Sequence, residues 1–337
     1  MPPAHSESQS RRRFLFIAGA ATGLALLPGI GEVIAAPNAD LRFWRGVALG
    51  ADAMLQIHHR DRAAADRLIE RCLMEVARLE RIFSLYREDS ALRQLNRDGK
   101  LDHPPQDLLL LLAQAEQFGR VSGGAFDITV QPLWDLYAAH FTNAEADPAG
   151  PAQAAIDAAL RRVDYRAVDV SSRQIRFARP GMAITLNGIA QGYITDRIVD
   201  LLRNAGIDRS LVDMGEIRAI GGRPSGGPWI VGLEDPLAPG QSAEQIEIEN
   251  LAVATSGGYG TEFDSAGRFS HIFDPASGSA GRHLLSVSVI APLAATADAL
   301  STAFAVLPPA GIPALVRRFA VAAHLTFPDG SRLTHTA

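Results

Sequence analysis

Apolar and polar positions alternate loosely from Phe43 to His58, and Val47, Leu49, Met54, Leu55 and Ile57 supply the apolar side, so one or two strands entering a sheet are predicted there. The period then becomes helical. Leu68, Cys72, Val76, Leu79 and Phe83 fall near one stripe of a predicted helix over 61–82. Asp89-Ser90 reads as a cap for a short helix through Leu95, and another helix is predicted from Gln106 to Phe118, closed by Ser122-Gly123-Gly124. Residues 138–154, rich in Ala, Asn, Asp and Pro, read as a loop before a helix over 152–162. Strands and turns follow from Tyr165 to Leu186. Helical spacing returns between Gly188 and Gly206, where Ile194, Ile198, Leu201 and Leu202 form the stripe. Strands are predicted at 209–220, 228–233, 244–248, 251–255, 269–273 and 285–290, an apolar helix at 296–306, and a last helix and strand over 313–326. Without regular βαβ alternation, this mixture is α+β.

The first 36 residues do not belong to that pattern. Arg11-Arg12-Arg13 precede an apolar run from Phe14 to Leu27, and small residues end it near Ala35-Ala36. A basic segment, an apolar stretch and a small-residue cleavage zone read as an export signal, and the paired arginines as the twin-arginine address. The run is too short to span a bilayer. The expectation is a cleaved leader over 1–36 and a soluble periplasmic protein over 37–337, built as one domain or two intimately packed lobes.

Charge and cysteine content narrow the classes further. The net charge is −5 and no basic stripe is present, which argues against a nucleic-acid partner. The arginines at 60, 62, 67, 71, 78 and 81 are interleaved with glutamates and read as a solvated helix face. Cys72 is the only cysteine, so an internal disulfide is impossible, and its place in a helical pattern suits a small buried hydrophobe. Neither a P-loop nor a dinucleotide fingerprint after a first strand occurs.

Four polar, glycine-rich stretches carry the candidate chemistry. In Ser122–Thr129, followed by Pro132-Leu133-Trp134, glycines permit close backbone approach, and Asp127 is either an acceptor for ribose hydroxyls or a turn cap. Thr185–Asp196 places a glycine-rich bend at a helix N-terminus, where free N–H groups suit a pyrophosphate or the helix simply packs against a strand. Asp213–Gly222 contains Glu216 and Arg218, two apart and able to share one strand face as a salt-linked or ligand pair. The fourth is distributed. Thr255-Ser256-Gly257 precedes Ser270-His271-Ile272-Phe273-Asp274-Pro275, and Asp298 and Thr302, four apart, face the same way on a helix. A carboxylate, a hydroxyl and nearby carbonyls make an all-oxygen site suited to Mg²⁺ or Ca²⁺, or else a helix cap with a lining Thr. His271 is the candidate imidazole, and Tyr86, at a helix end, either stacks on a base or packs.

Together these stretches resemble the ApbE family of FAD-dependent flavin transferases, in order and over most of the chain beyond the leader. The resemblance rests on Phe83-Ser84-Leu85-Tyr86 with Asp89-Ser90 and Leu95-Asn96, on Gly123–Thr129 with Pro132-Leu133, on Asn187–Tyr193 with Asp196, on Thr255-Ser256-Gly257 with His271–Pro275 and Gly278, and on Ala297–Ala303. It implies an ApbE-like fold of mixed sheets and packed helices with FAD in a cleft, and Mg²⁺-dependent transfer of FMN from FAD to a Ser or Thr hydroxyl of a protein, releasing AMP. It also implies site roles. Tyr86 would contact the adenine. Ala125, Phe126, Asp127, Thr129, Asn187, Gly188, Gln191, Gly192 and Tyr193 would enclose the dinucleotide, with Glu216, Arg218, Ser256 and Gly257 in the same cleft. Asp298 and Thr302, helped by carbonyls near Ala190 and Ser301, would hold the metal. His271 would lie by the phosphates or flavin, and His271 or Asp298 would receive the acceptor's proton.

Two positions depart from the family pattern: Gln191 stands where Lys is usual, and Gly215-Glu216 where two glycines and Asn are usual. In this the chain resembles the NosX branch, exported with the nitrous oxide reductase system, which implies a membrane-bound NosR-like flavin acceptor. The changed charge also leaves open a protein that only binds or delivers flavin. Some family members hydrolyse FAD instead.

Overall fold

The computed structural model describes residues 40–337 apart from 144, 239, 265 and 282, so the predicted leader lies outside the described residues. In chain order, β1 (Leu41–Ala48) and β2 (Ala51–His58) lead into α1 (Arg62–Phe83) and α2 (Ala91–Asp98). Next come β3 (Lys100–Asp102), α3 (Gln106–Val121), α4 (Gln131–Thr142), α5 (Gln153–Leu160), β4 (Val168–Val170) and β5 (Gln174–Phe177). The second half runs α6 (Ala190–Asn204), β6 (Ser210–Asp213), β7 (Ile217–Ile220), β8 (Trp229–Glu234), β9 (Ser242–Ile248), β10 (Ala252–Gly257), β11 (Ser286–Ala291), α7 (Ala294–Val306), α8 (Ile312–Phe319), β12 (Ala322–Thr326) and β13 (Arg332–Thr336).

One eight-stranded sheet, ordered β1-β2-β6-β7-β10-β11-β12-β13, organises these elements. Every neighbouring pair in it is antiparallel. Alternation decides which face each residue serves. On β2, Ala53, Leu55 and Ile57 join the large core with α1, α3, α6 and α7, while Met54 points the other way. There the β8–β9 hairpin covers the sheet with Trp229, Val231, Leu233, Ile246 and Ile248. A three-stranded sheet, β3-β5-β4, flanks the helical layer.

Local chemistry accounts for the element ends. Asp61 accepts from Ala64 N–H at the start of α1, Ser90 accepts from Arg93 N–H at the start of α2, and Gly99 in the left-handed region ends α2. The stripe predicted on α1 is buried, with Cys72 fully enclosed and its thiol pushed up to about 12 by burial. Three elements differ from the sequence reading. Residues 131–142 form α4, started by Pro132 in its first turn, so the predicted loop begins only after Thr142. Residues 269–273 make isolated bridges, Glu262 to Ser270 and Phe273 to Ala280, because their phenylalanines pack as side chains against α4 and no strand runs alongside. β13 was not anticipated, being polar and mostly exposed.

No helix among the described residues is long and apolar enough to cross a membrane.

Candidate active site

A cavity of about 820 Å³ opens between the 85–97 and 125–135 segments on one side and the first turn of α6, the end of β10 and one face of α7 on the other. The loop 259–275 closes a further wall. That volume lies toward the upper end of small-molecule sites. Residues more than 200 positions apart in the chain share this wall, from Tyr86 to Thr302.

The floor is acidic and buried. Asp298, on the second turn of α7, is 3% exposed, and its carboxylate accepts from Gly192 N–H at 3.1 Å. Burial pushes its pKa up to about 8, and the neighbouring Asp196 adds to the rise. Glu216 also lines the floor, and its carboxylate accepts the backbone N–H of Thr255. Burial first, and then the charges of Asp298 and Asp213, hold Glu216 well above the usual carboxylate range. Gly215, with φ +99°, makes the turn that aims Glu216 inward, and a side chain there would strike Gln191. Thr302 lies one helical turn beyond Asp298, and Ser256 Oγ links it to Ser301 through contacts of 3.4 and 2.8 Å. The floor thus offers carboxylates and hydroxyls, which are hard oxygen donors.

His271 stands in the wall. Its Nδ1 lies 3.2 Å from the Thr261 carbonyl, which can only accept, so Nδ1 carries the proton and Nε2 keeps a lone pair. Burial lowers its pKa, favouring the neutral ring.

At the mouth, Tyr86 is 59% exposed and its hydroxyl is hydrogen-bonded to the Asn187 side chain. Ala125, Phe126, Asp127, Asn187, Gly188, Gln191, Ser256 and Gly257 all contribute to the wall, as expected of one cleft. Asp127 is nevertheless fully engaged. One carboxylate oxygen accepts from Thr129 N–H and Oγ–H, and the other from Tyr165 N–H at 3.0 Å, so it caps the turn.

Several expected site residues lie behind the wall. Tyr193 donates its hydroxyl to Asp107 at 2.7 Å and packs edge-on to Phe83, away from the cavity. Arg218 pairs with Asp196 at 2.7 Å and not with Glu216, because β7 starts only at Ile217 and the two side chains do not share a strand face. Asp196 in turn accepts from Ala294 and Ala295 N–H and caps α7. Thr129 is fully buried and accepts from Asp164 N–H. Gly192 is needed for contact, since a Cβ there would meet the Ala294 carbonyl at 2.4 Å. Ala190 and Ser301 are buried beside the floor, with the Ser301 hydroxyl donating to the Asp298 carbonyl. Of the expected free amides at the start of α6, Ala190, Gly192 and Tyr193 N–H are taken by Leu186, Asp298 and Ile189.

Residues not singled out from sequence complete the wall, notably Arg93, Arg97 and Asp135, beside Trp134 and Thr185 from the stretches already named. Arg93 and Arg97 are four apart on α2, a spacing that could have flagged a shared face.

An antiparallel sheet with helices on one face and an acidic cleft between the helices and the strand ends defines the class. Residues 49–325 match the model of the ApbE family, and the chain belongs to that family. It is 32% identical over 234 residues to an FAD:protein FMN transferase of Haemophilus influenzae, covering 66% of this chain and 68% of that one. A second FAD:protein FMN transferase, from Treponema pallidum, is 34% identical over 274 residues, covering 74% of each. Among solved structures, the apo form of the Pseudomonas stutzeri flavinyl transferase ApbE superposes with a TM-score of 0.75 at 28% identity, covering 88% of this chain and 94% of that one.

Proposed function

We propose that this protein is an FAD:protein FMN transferase of the periplasm, moving FMN from FAD to a Ser or Thr hydroxyl of an acceptor protein. The observation that carries the reading is the convergence of Asp298, Thr302, Glu216 and His271 on one cavity in a chain of this family. In the transfer, the acceptor oxygen forms a bond to the FMN phosphorus, the bond from that phosphorus to the bridging oxygen breaks, and AMP leaves with that oxygen. The acceptor's proton passes to His271 Nε2, which is neutral and unprotonated at the start. The cavity walls hold donor and acceptor in line and limit competing water.

The oxygen donors of the floor fit Mg²⁺. Asp298 and Thr302 would hold it, with Ser256 alongside, and when bound it would neutralise pyrophosphate charge and ease the departure of AMP. A cation there would relieve the mutual repulsion of the floor's carboxylates, whose pKa values burial raises.

The twin-arginine leader over 1–36 supports export, and Gln191 with Glu216 supports the NosX branch and a membrane-bound NosR-like acceptor. The test mixes the protein lacking its leader with FAD, Mg²⁺ and the flavin-accepting domain of such a partner, followed by intact acceptor mass. Addition of one phosphoester-linked FMN, repeated over many acceptors per enzyme, is the expected result. FAD bound tightly without transfer would replace the reading with a carrier, and free FMN would replace it with hydrolysis, provided a known active transferase labels the same acceptor.

A further inference from the structure

We infer that Tyr137, on α4 and outside the cavity wall, is a positioning residue that fixes the loop carrying His271. The inference rests on the proposed role of His271 as proton acceptor. That loop is irregular. Between residues 261 and 271 it is closed by Phe263 N–H to the Phe269 carbonyl at 2.8 Å and His271 N–H to the Thr261 carbonyl at 3.1 Å. These bonds, the Asp264 carboxylate accepting from Arg268 and Phe269 N–H, and the imidazole's contact with the Thr261 carbonyl order the loop internally, but none of them fixes it to the helix that lines the cavity.

Aromatic packing supplies the rest. Tyr137 is 2% exposed, and its ring lies 6.1 Å from Phe263, 5.7 Å from Phe269 and 4.9 Å from Phe273. Those three phenylalanines bracket His271 in the chain. Phe141, one helical turn on, also packs against Phe269, at 5.1 Å. The Tyr137 hydroxyl donates to the Gly278 carbonyl at 3.2 Å, tying down the segment that follows. A single side chain therefore touches the His271 loop before, after and downstream of the imidazole. The same helix lends Trp134 and Asp135 to the cavity, so α4 sets the His271 loop relative to bound donor.

The test compares Tyr137→Leu, which removes the ring, with Tyr137→Phe, which keeps it, in the full-length chain without its leader. Steady-state FMN transfer, FAD binding and the rate at which diethyl pyrocarbonate modifies His271, read by peptide mass, are measured for both. Tyr137→Leu is expected to lower kcat about ten- to a hundredfold, leave the KM for FAD within about twofold, and speed His271 modification several-fold. Tyr137→Phe should restore kcat to near the parent value. If Tyr137→Leu does not melt cooperatively, Phe269→Leu replaces it, with the same split expected. Unchanged kcat and modification rate in the ring-deleted variant, beside a His271→Ala variant that is inactive, would overturn the positioning role. A loss shared equally by FAD binding and kcat would overturn it as well. A fully active His271→Ala would instead remove the proton-acceptor reading beneath it, while faster modification alone would still report the loosened loop.

Discussion

Asp298 and His271 divide the expected chemistry at the scale of single residues. Asp298→Asn keeps an acceptor for Gly192 N–H but loses the negative charge, so Mg²⁺-dependent transfer should fall about a hundredfold or more, equivalent to roughly 3 kcal/mol of barrier. A Mg²⁺ titration of the transfer rate checks this, and an unchanged titration would dissociate Asp298 from the metal. His271→Gln keeps polarity without a titratable base. Its kcat should drop about 10²- to 10⁴-fold while FAD affinity holds. Equal losses in affinity would mean that the imidazole serves binding. These carboxyls and the imidazole were all visible as polar residues in glycine-rich stretches. Their burial was not, and burial is what moves Asp298 up and His271 down.

α6 and α7 form the rigid pair behind the floor, and their closeness depends on Gly192. Alanine at that position would press its Cβ into the Ala294 carbonyl at 2.4 Å, which forces the helices apart. Overpacking of this kind costs about 1–3 kcal/mol, and urea unfolding should show a lower midpoint with little change of slope. An unaltered midpoint would mean that the interface yields freely. The cap of α2 offers a milder contrast. Ser90 accepts from Arg93 N–H and donates to the Ser84 carbonyl at 2.6 Å, so Ser90→Ala should cost ~1 kcal/mol or somewhat more. Thermal melting measures it, and no shift would place the stability of α2 wholly in Leu92 and Leu95. The cap was legible for this helix. The α6–α7 contact was not, because Gly192 reads equally well as a ligand-approach glycine.

Across the whole molecule, the carboxyl cluster under the sheet gives stability a pH dependence. Burial pushes Asp213 up to about 7, above the roughly 3.9 of an unfolded chain. An acid whose folded pKa is raised contributes its full stability below the unfolded pKa and loses it as pH rises through the folded one. The expected loss from Asp213 between about pH 4 and pH 8 is on the order of 2–4 kcal/mol. Asp213→Asn retains an acceptor for Gly215 N–H and removes the titration. Its melting temperature relative to the parent should therefore rise from pH 5 to pH 8, as scanning calorimetry would show. A constant difference across that range would mean that Asp213 ionises freely in the folded state.

Periodicity and local chemistry along the chain determined the α+β class, most elements from β1 to β12, the stripe of α1, the cap at Ser90, and the short list of stretches that meet in the cavity. Those properties are carried by neighbours within a few residues, where backbone geometry alone sets which side chains share a face. Tertiary structure alone decided how the list divided. Asp196 and Arg218 became partners beneath α7, Tyr193 turned toward Asp107, Asp127 was used up as a turn cap, and Arg93, Trp134 and Asp135 joined the wall. A polar residue at a glycine-rich bend can serve a ligand or a distant backbone amide equally well, and only the fold determines which partner lies within hydrogen-bond reach.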